Sequence, residues 1–102
     1  WHHCVVQFDD TTKILKFYVD KILVYMDTYA NSIVYSASTR KIQIGTASEF
    51  PYEAADYLDE VRIYNRNLTD GGVTTGEVAT GEVAELFDMG VNLKIEINGY
   101  KN

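Results

Sequence analysis

Two adjacent acids, Asp59 and Glu60, stand near the head of "DYLDEVRIYNRNLT", residues 56–69, a run that alternates apolar and polar residues. Such a pair either binds a ligand or ends a strand by bonding to loop backbone groups, as Asp and Asn side chains do in turns. Strand alternation sets Asp59, Val61, Ile63 and Asn65 on one face, and Leu58, Glu60, Arg62 and Tyr64 on the other. Val61 and Ile63 are then the core residues, with Asp59 and Asn65 at the two ends of the buried row. That placement favours the structural role. Glu60 and Arg62, two apart on the opposite face, make a solvated ion pair worth under ~1 kcal/mol.

His2, His3 and Cys4 are the next candidates. Adjacent strand residues point to opposite faces, so the two histidines do not share one metal ion. Cys4 lies on the face of His2, but two ligands fall short of a closed zinc site. Grouped with Val6 and Phe8, Cys4 reads as buried and inert. The eight tyrosines are a stronger signal in 102 residues. Tyr25, Tyr29, Tyr35 and Tyr52 fall in or beside expected loops. A flat apolar ring with a hydroxyl suits a sugar and suits a protein interface equally, and the plainer alternative is that each ring caps the edge of the core.

The elements that must position these groups are short strands. Residues 1–9 alternate Cys4, Val6 and Phe8 against His3, Val5 and Gln7, with "DDTTK" as a polar turn. Residues 14–19 and 22–26 follow as a hairpin around Asp20-Lys21, where Asn-Gly or Asp-Gly would be the usual pair. Residues 27–39 read as a loop with a short strand at "SIVYS", 40–45 as a strand, 46–56 as a loop around the single proline Pro51, and 57–64 as the strand discussed above. Val83, Leu86 and Phe87 mark a helix over 82–89 that Gly90 stops. "VNLKIEING" alternates again and reads as a closing strand. "TGEVATGEVA", 75–84, is a pentapeptide written twice and reads as a lengthened surface loop. Short strands at roughly ten-residue spacing describe an all-β antiparallel sandwich with one short helix.

Composition narrows the function. The length suits one domain, and 46% hydrophobic with 24% charged residues fits a globular core. The net charge is −6, and the nine basic residues form no stripe able to follow a phosphate backbone, so nucleic acid is not an expected partner. No apolar run reaches the roughly 18 residues that cross a bilayer, so no membrane insertion is expected. One cysteine rules out an internal disulfide. The chain opens at Trp1 inside an expected strand, which reads as a segment of a longer polypeptide.

Three segments together resemble the LamG-like branch of the concanavalin A-like lectin/glucanase jelly rolls. "WHHCVVQFDDTTKILKFYVDKILV" is similar to that family's tryptophan-histidine strand and hairpin. "YLDEVRIYNRNLT" is similar to its Asp-Glu-Val strand and Leu-Ser/Thr turn, and "GEVAELFDMG" to the short helix that follows. Asp56 replaces a usual glycine, and 70–81 is longer than the usual link. The resemblance implies a jelly-roll β-sandwich whose N-terminal strands lie outside residues 1–102 or come from a neighbouring chain. It also implies calcium as a candidate cofactor, held by Asp59 with Asp56 or Glu53, because calcium takes six to eight oxygens from carboxylates, carbonyls and water.

Relatives that are glucanases raise the question of catalysis. A retaining pair needs two carboxylates about 5–5.5 Å apart. Two residues after Glu60 stands Arg62, and two after Asp59 stands Val61, so no enzyme is expected. The resemblance points instead to a non-catalytic recognition module for glycans at an extracellular, cell or virion surface. Tyr25, Tyr29, Tyr35 and Tyr52 would be its sugar-stacking residues. The alternative is a structural or adhesion module in a virion, tail fibre or extracellular filament, with neighbouring protein chains, in a homo-oligomer or otherwise, as partners.

Overall fold

Alternation over residues 4–28 produces a three-stranded antiparallel meander: β1 (Cys4–Asp9), β2 (Ile14–Val19) and β3 (Ile22–Thr28), in that spatial order. A computed structural model describes residues 1–34, 44, 46–47, 50–53 and 57–100, those of 46–47, 50–53 and 91–100 as backbone. They divide into two units, Trp1–Ile33 with Arg66–Asn102, and Val34–Asn65.

In the first unit the register pairs Cys4 with Val19, Val6 with Phe17 and Phe8 with Leu15, and a bulge interrupts β2–β3 between Phe17 and Tyr18. The Asp9 carboxylate accepts from Thr11 N at 2.8 Å and closes the first turn, where Lys13 adopts φ 61°. Asp20 and Lys21 do form the second turn, with φ 49° and 60°. Two left-handed residues in a two-residue hairpin match the right-handed strand twist, which is why glycine is usual there. Here bonds hold the strained pair. Asp20 accepts from His2 Nδ1 at 2.7 Å and from His3 N at 2.9 Å, and Lys21 Nζ reaches Asp88 Oδ1 at 2.8 Å.

The covered face of the sheet is not the apolar one. Cys4 is exposed and Val6 is 63% exposed, so the burial expected for Cys4 with Val6 is wrong. Trp1 is likewise exposed and precedes β1. The buried hydrophobic residues among those described are Tyr18, Leu23, Leu68, Ala79 and Val83, with Val5, Val73 and Leu86 packed against them. Gln7 and Lys16 share this face, and their polar ends are bonded rather than solvated. Gln7 Oε1 accepts from Leu68 N at 2.9 Å while Gln7 Nε2 donates to Leu68 O at 3.2 Å. Lys16 Nζ meets Asp70 Oδ2 at 2.6 Å, and Tyr18 donates its hydroxyl to the same oxygen.

The cover is the segment that follows residue 66, ending in α1 (Gly81–Tyr100). Thr69, far back in the chain, caps this helix: Glu82 N donates to Thr69 Oγ1 at 3.0 Å, and Thr69 N donates to Glu82 Oε1 at 3.3 Å. That reciprocity is a capping box closed across a loop. Arg66 clamps Glu82 through both guanidinium nitrogens, at 2.8 and 2.6 Å. The Arg66 bond, then the Thr69 amide, hold the Glu82 carboxyl down at about 2. The doubled pentapeptide is therefore no mere lengthened surface loop, since it supplies buried Ala79 from one copy and buried Val83 from the other.

The helix is also longer than expected and takes in "VNLKIEING", read above as a strand. Once a capped first turn exists, each further residue adds a hydrogen bond at little cost, and Gly90 opposes this by only about 1 kcal/mol.

In the second unit, β4 (Thr46–Ala47) pairs antiparallel with β5 (Phe50–Glu53), where a loop was expected. In a two-stranded ribbon every strand is an edge, so Pro51 is tolerated. Residues 57–64 are not a strand. Val61 and Ile63 are 55% and 76% exposed and so are not core residues. The cause is local: Asp59 Oδ1 accepts from Glu60 N at 2.8 Å, and Glu60 takes φ 51°, which breaks an extended run. Of the expected short strand at 32–36, residues 32–34 are irregular, while 35–36 lie outside the described residues; of the strand expected at 40–45 only Ile44 is described, and it is a bend. The jelly-roll expectation is thus met in part, by an antiparallel three-stranded sheet with one helix.

Candidate functional site

Two of the four expected ligand-binding tyrosines come together. Tyr25 and Asp27 sit two apart on β3 and share a face, and Tyr25 donates its hydroxyl to Asp27 Oδ2 at 3.1 Å. The chain then turns so that the Tyr25 and Tyr29 hydroxyls lie 3.4 Å apart. Hydrogen bonding to Tyr29, then to Asp27, raises the Tyr25 phenol above its ordinary value and keeps it a neutral donor. Asp27 Oδ1 accepts from Thr28 N at 2.8 Å, which orients the carboxylate.

Tyr29 is also one wall of a groove of about 330 Å³, floored by Phe8 and Leu15 and closed by Ala30, Asn31, Ser32 and Ile33. Phe8 and Leu15 are cross-strand partners, and Asp27 pairs with Leu15, so the groove and the tyrosine cluster lie on one sheet face. The 29–33 strap is tied down. Tyr29 N donates to Lys13 O at 2.8 Å, and Lys13 Nζ donates to Ser32 Oγ at 2.6 Å, to Asp10 Oδ1 at 3.2 Å and to Asp10 O. Bonding to Ser32, then to Lys13, holds the Asp10 carboxyl below its ordinary value. The arrangement offers a flat apolar surface beside a carboxylate and two hydroxyls, the chemistry that meets a pyranose ring with its hydroxyl edge.

The expected cation site is scattered or undescribed. Asp59 lies in the irregular run with its Oδ1 already accepting from Glu60 N. Asp56 and Tyr35 lie outside the described residues, as do the side chains of Glu53 and Tyr52 on β5. Among the described residues no group of three His, Cys, Asp or Glu side chains could hold a metal ion. Glu60 and Arg62 form the expected exposed pair, at 3.7 Å. His2 and His3 diverge as expected: His2 pairs with Asp20, and the His3 ring lies 6.1 Å from that of Phe87. No described helix is long and apolar enough to cross a membrane.

Residues 1–74 match the family model for the Concanavalin A-like lectin/glucanases superfamily. The chain belongs to that superfamily. The match takes in the whole meander, the Tyr25–Asp27–Tyr29 cluster, every groove residue and Asp59. No curated protein and no solved structure matched the chain. Laminin G-like members of the superfamily are in general non-catalytic binding modules, and the superfamily suggests a carbohydrate-binding or adhesion-type module.

Asp27 was not singled out in the sequence, although Tyr-x-Asp-x-Tyr at 25, 27 and 29 carried the signal. A period-2 reading of a strand running into its loop brings all three toward one side. Asp70 was missed for a different reason, since its partner Lys16 is distant in sequence.

Proposed function

We propose that the chain is part of a jelly-roll sandwich that acts as a non-catalytic carbohydrate-recognition module at an extracellular, cell or virion surface. The observation that carries this reading is the cluster of Tyr25, Asp27 and Tyr29, in which Tyr29 is also a wall of the Phe8–Leu15 groove. A sugar ring would lay its C–H face on the Tyr29 side of the groove and donate hydroxyls to Asp27. The chain's own residues then bind and orient, with no step of bond cleavage. Calcium at Asp59 with Asp56 or Glu53 is a separate part of the proposal and rests on the superfamily alone. It would order a rim loop through carboxylate and carbonyl oxygens.

The test is a glycan-array screen of the folded chain, run with calcium and again with chelator. Saturable binding that Tyr29→Ala weakens supports the reading. Loss of that binding on chelation and on Asp59→Ala supports the metal. Silence of a folded sample across a broad array defeats the carbohydrate reading.

One observation favours a second reading, a structural or adhesion module that binds neighbouring protein chains. The groove face of the sheet also carries Val6 and Ile22, both exposed. Exposed apolar area of this kind is typical of an interface.

A further inference from the structure

We infer that the groove selects glycans that carry no acid group, and that Asp27 is the residue that determines this selectivity. The inference rests on the carbohydrate reading of the same site and goes on to name the class of sugar.

Two acids stand next to residues that line the groove. Asp27 is the cross-strand partner of Leu15 and is linked to the wall residue Tyr29 through the Tyr25 hydroxyl. Asp10 bonds to Ser32 and Ile33, both lining residues. A carboxylate only accepts hydrogen bonds. Each Asp27 oxygen already takes one donor, from Thr28 N and from the Tyr25 hydroxyl, and keeps a lone-pair direction free. A pyranose offers hydroxyl donors to those positions. A sulfate or carboxylate offers only acceptors and a like charge.

The cation nearest the groove cannot reverse this. An ammonium has three donors, and Lys13 spends its Nζ on Ser32 Oγ, Asp10 Oδ1 and Asp10 O. Lys16 lies on the opposite face of the sheet, against Asp70, and Lys21 is held by Asp88. The three lysines of this unit whose side chains are described, Lys13, Lys16 and Lys21, are thus each engaged with a carboxylate. The floor of Phe8 and Leu15 supplies apolar contact that depends on the ring and not on its charge.

The experiment is an array that places each neutral glycan beside its sulfated and sialylated counterparts, probed with the full chain and with Asp27→Asn. At low salt the acidic forms should bind at least about tenfold more weakly than the neutral ones, as expected for like charges a few ångströms apart near a surface. The gap should narrow in about 0.5 M NaCl, because salt screens exposed charges. Asp27→Asn keeps the shape and should raise acidic relative to neutral binding several-fold, and Asp10→Asn should act the same way more weakly. Equal or tighter binding of the acidic forms, or an unchanged ratio in Asp27→Asn, overturns the selectivity while leaving the carbohydrate reading intact. A folded sample that binds no glycan overturns both.

Discussion

Lys16 Nζ and Asp70 Oδ2 lie 2.6 Å apart on the covered face of the sheet. Asp70 is 8% exposed, and its other oxygen accepts from Gly72 N at 2.9 Å. Removing one member of such a pair leaves the other charge buried without compensation. Asp70→Ala should cost about 3 kcal/mol in urea unfolding, and the Lys16→Met, Asp70→Leu double variant should cost less than the sum of the single ones. A loss below ~1 kcal/mol for Asp70→Ala would show that the pair behaves as a solvated surface bridge.

The same carboxylate gives the fold an acid limit. Burial pushes the Asp70 carboxyl up, but the bonds from Lys16, Tyr18 and Gly72 outweigh it and leave the pKa below its ordinary 3.8. Glu82 is lowered from 4.5 to about 2. Both are depressed in the folded state, so their stabilisation is present above the ordinary values and is lost as pH falls through the folded ones. The melting temperature should therefore drop from about pH 4.5 toward pH 2, and Asp70→Asn with Glu82→Gln should flatten that limb. A limb of unchanged slope in the double variant would place the acid sensitivity elsewhere.

Two neighbouring glycines should respond differently to alanine. Gly71 has φ 80°, and an added Cβ would stand 2.0 Å from Thr80 Oγ1. Gly72 has φ 71° and open space around it. Gly72→Ala bears only the left-handed penalty of about 1–2 kcal/mol. Gly71→Ala bears that and a clash, and adding Thr80→Ala should recover part of the difference. Equal costs at the two positions would refute the close approach.

The exposed tyrosines should separate binding from folding. Tyr25→Ala and Tyr29→Ala remove no buried contact and should each change stability by less than about 0.5 kcal/mol. Calorimetric titration with any glycan found on the array should show affinity falling roughly 3- to 10-fold in each, the scale of a lost aromatic contact. Affinity lost only together with stability would assign both rings to the scaffold.

The meander was legible because its turns fall where polar residues interrupt a period of two. The faces were misjudged for a physical reason. Gln7, Lys16 and Tyr18 look solvent-bound in isolation, and only the backbone of Leu68 and the carboxylate of Asp70 make their burial affordable. The alternation at 57–64 was real, but the Asp59 side chain bonds the next amide and Glu60 turns left-handed, a competition that periodicity does not register. Residues 91–97 failed in the opposite direction, because a helix capped from Thr69 propagates through an alternating sequence. Of the site, the sequence offered Tyr25 and Tyr29, since rings beside loops stand out. The hydroxyl contact that makes them a pair depends on how the strap is tied to Lys13.

Capping of α1 by Thr69 bears on where this unit can be cut. The superfamily match ends at residue 74, whereas Ala79 and Val83, both buried beside Tyr18 and Leu23, come later, as does the Glu82 that answers Thr69 and Arg66. A fragment trimmed to the matched region would keep every groove residue and lose the lid of its own core. Leu86, which also packs against that core, lies twelve residues past the end of the match, so the family boundary falls inside the packed unit.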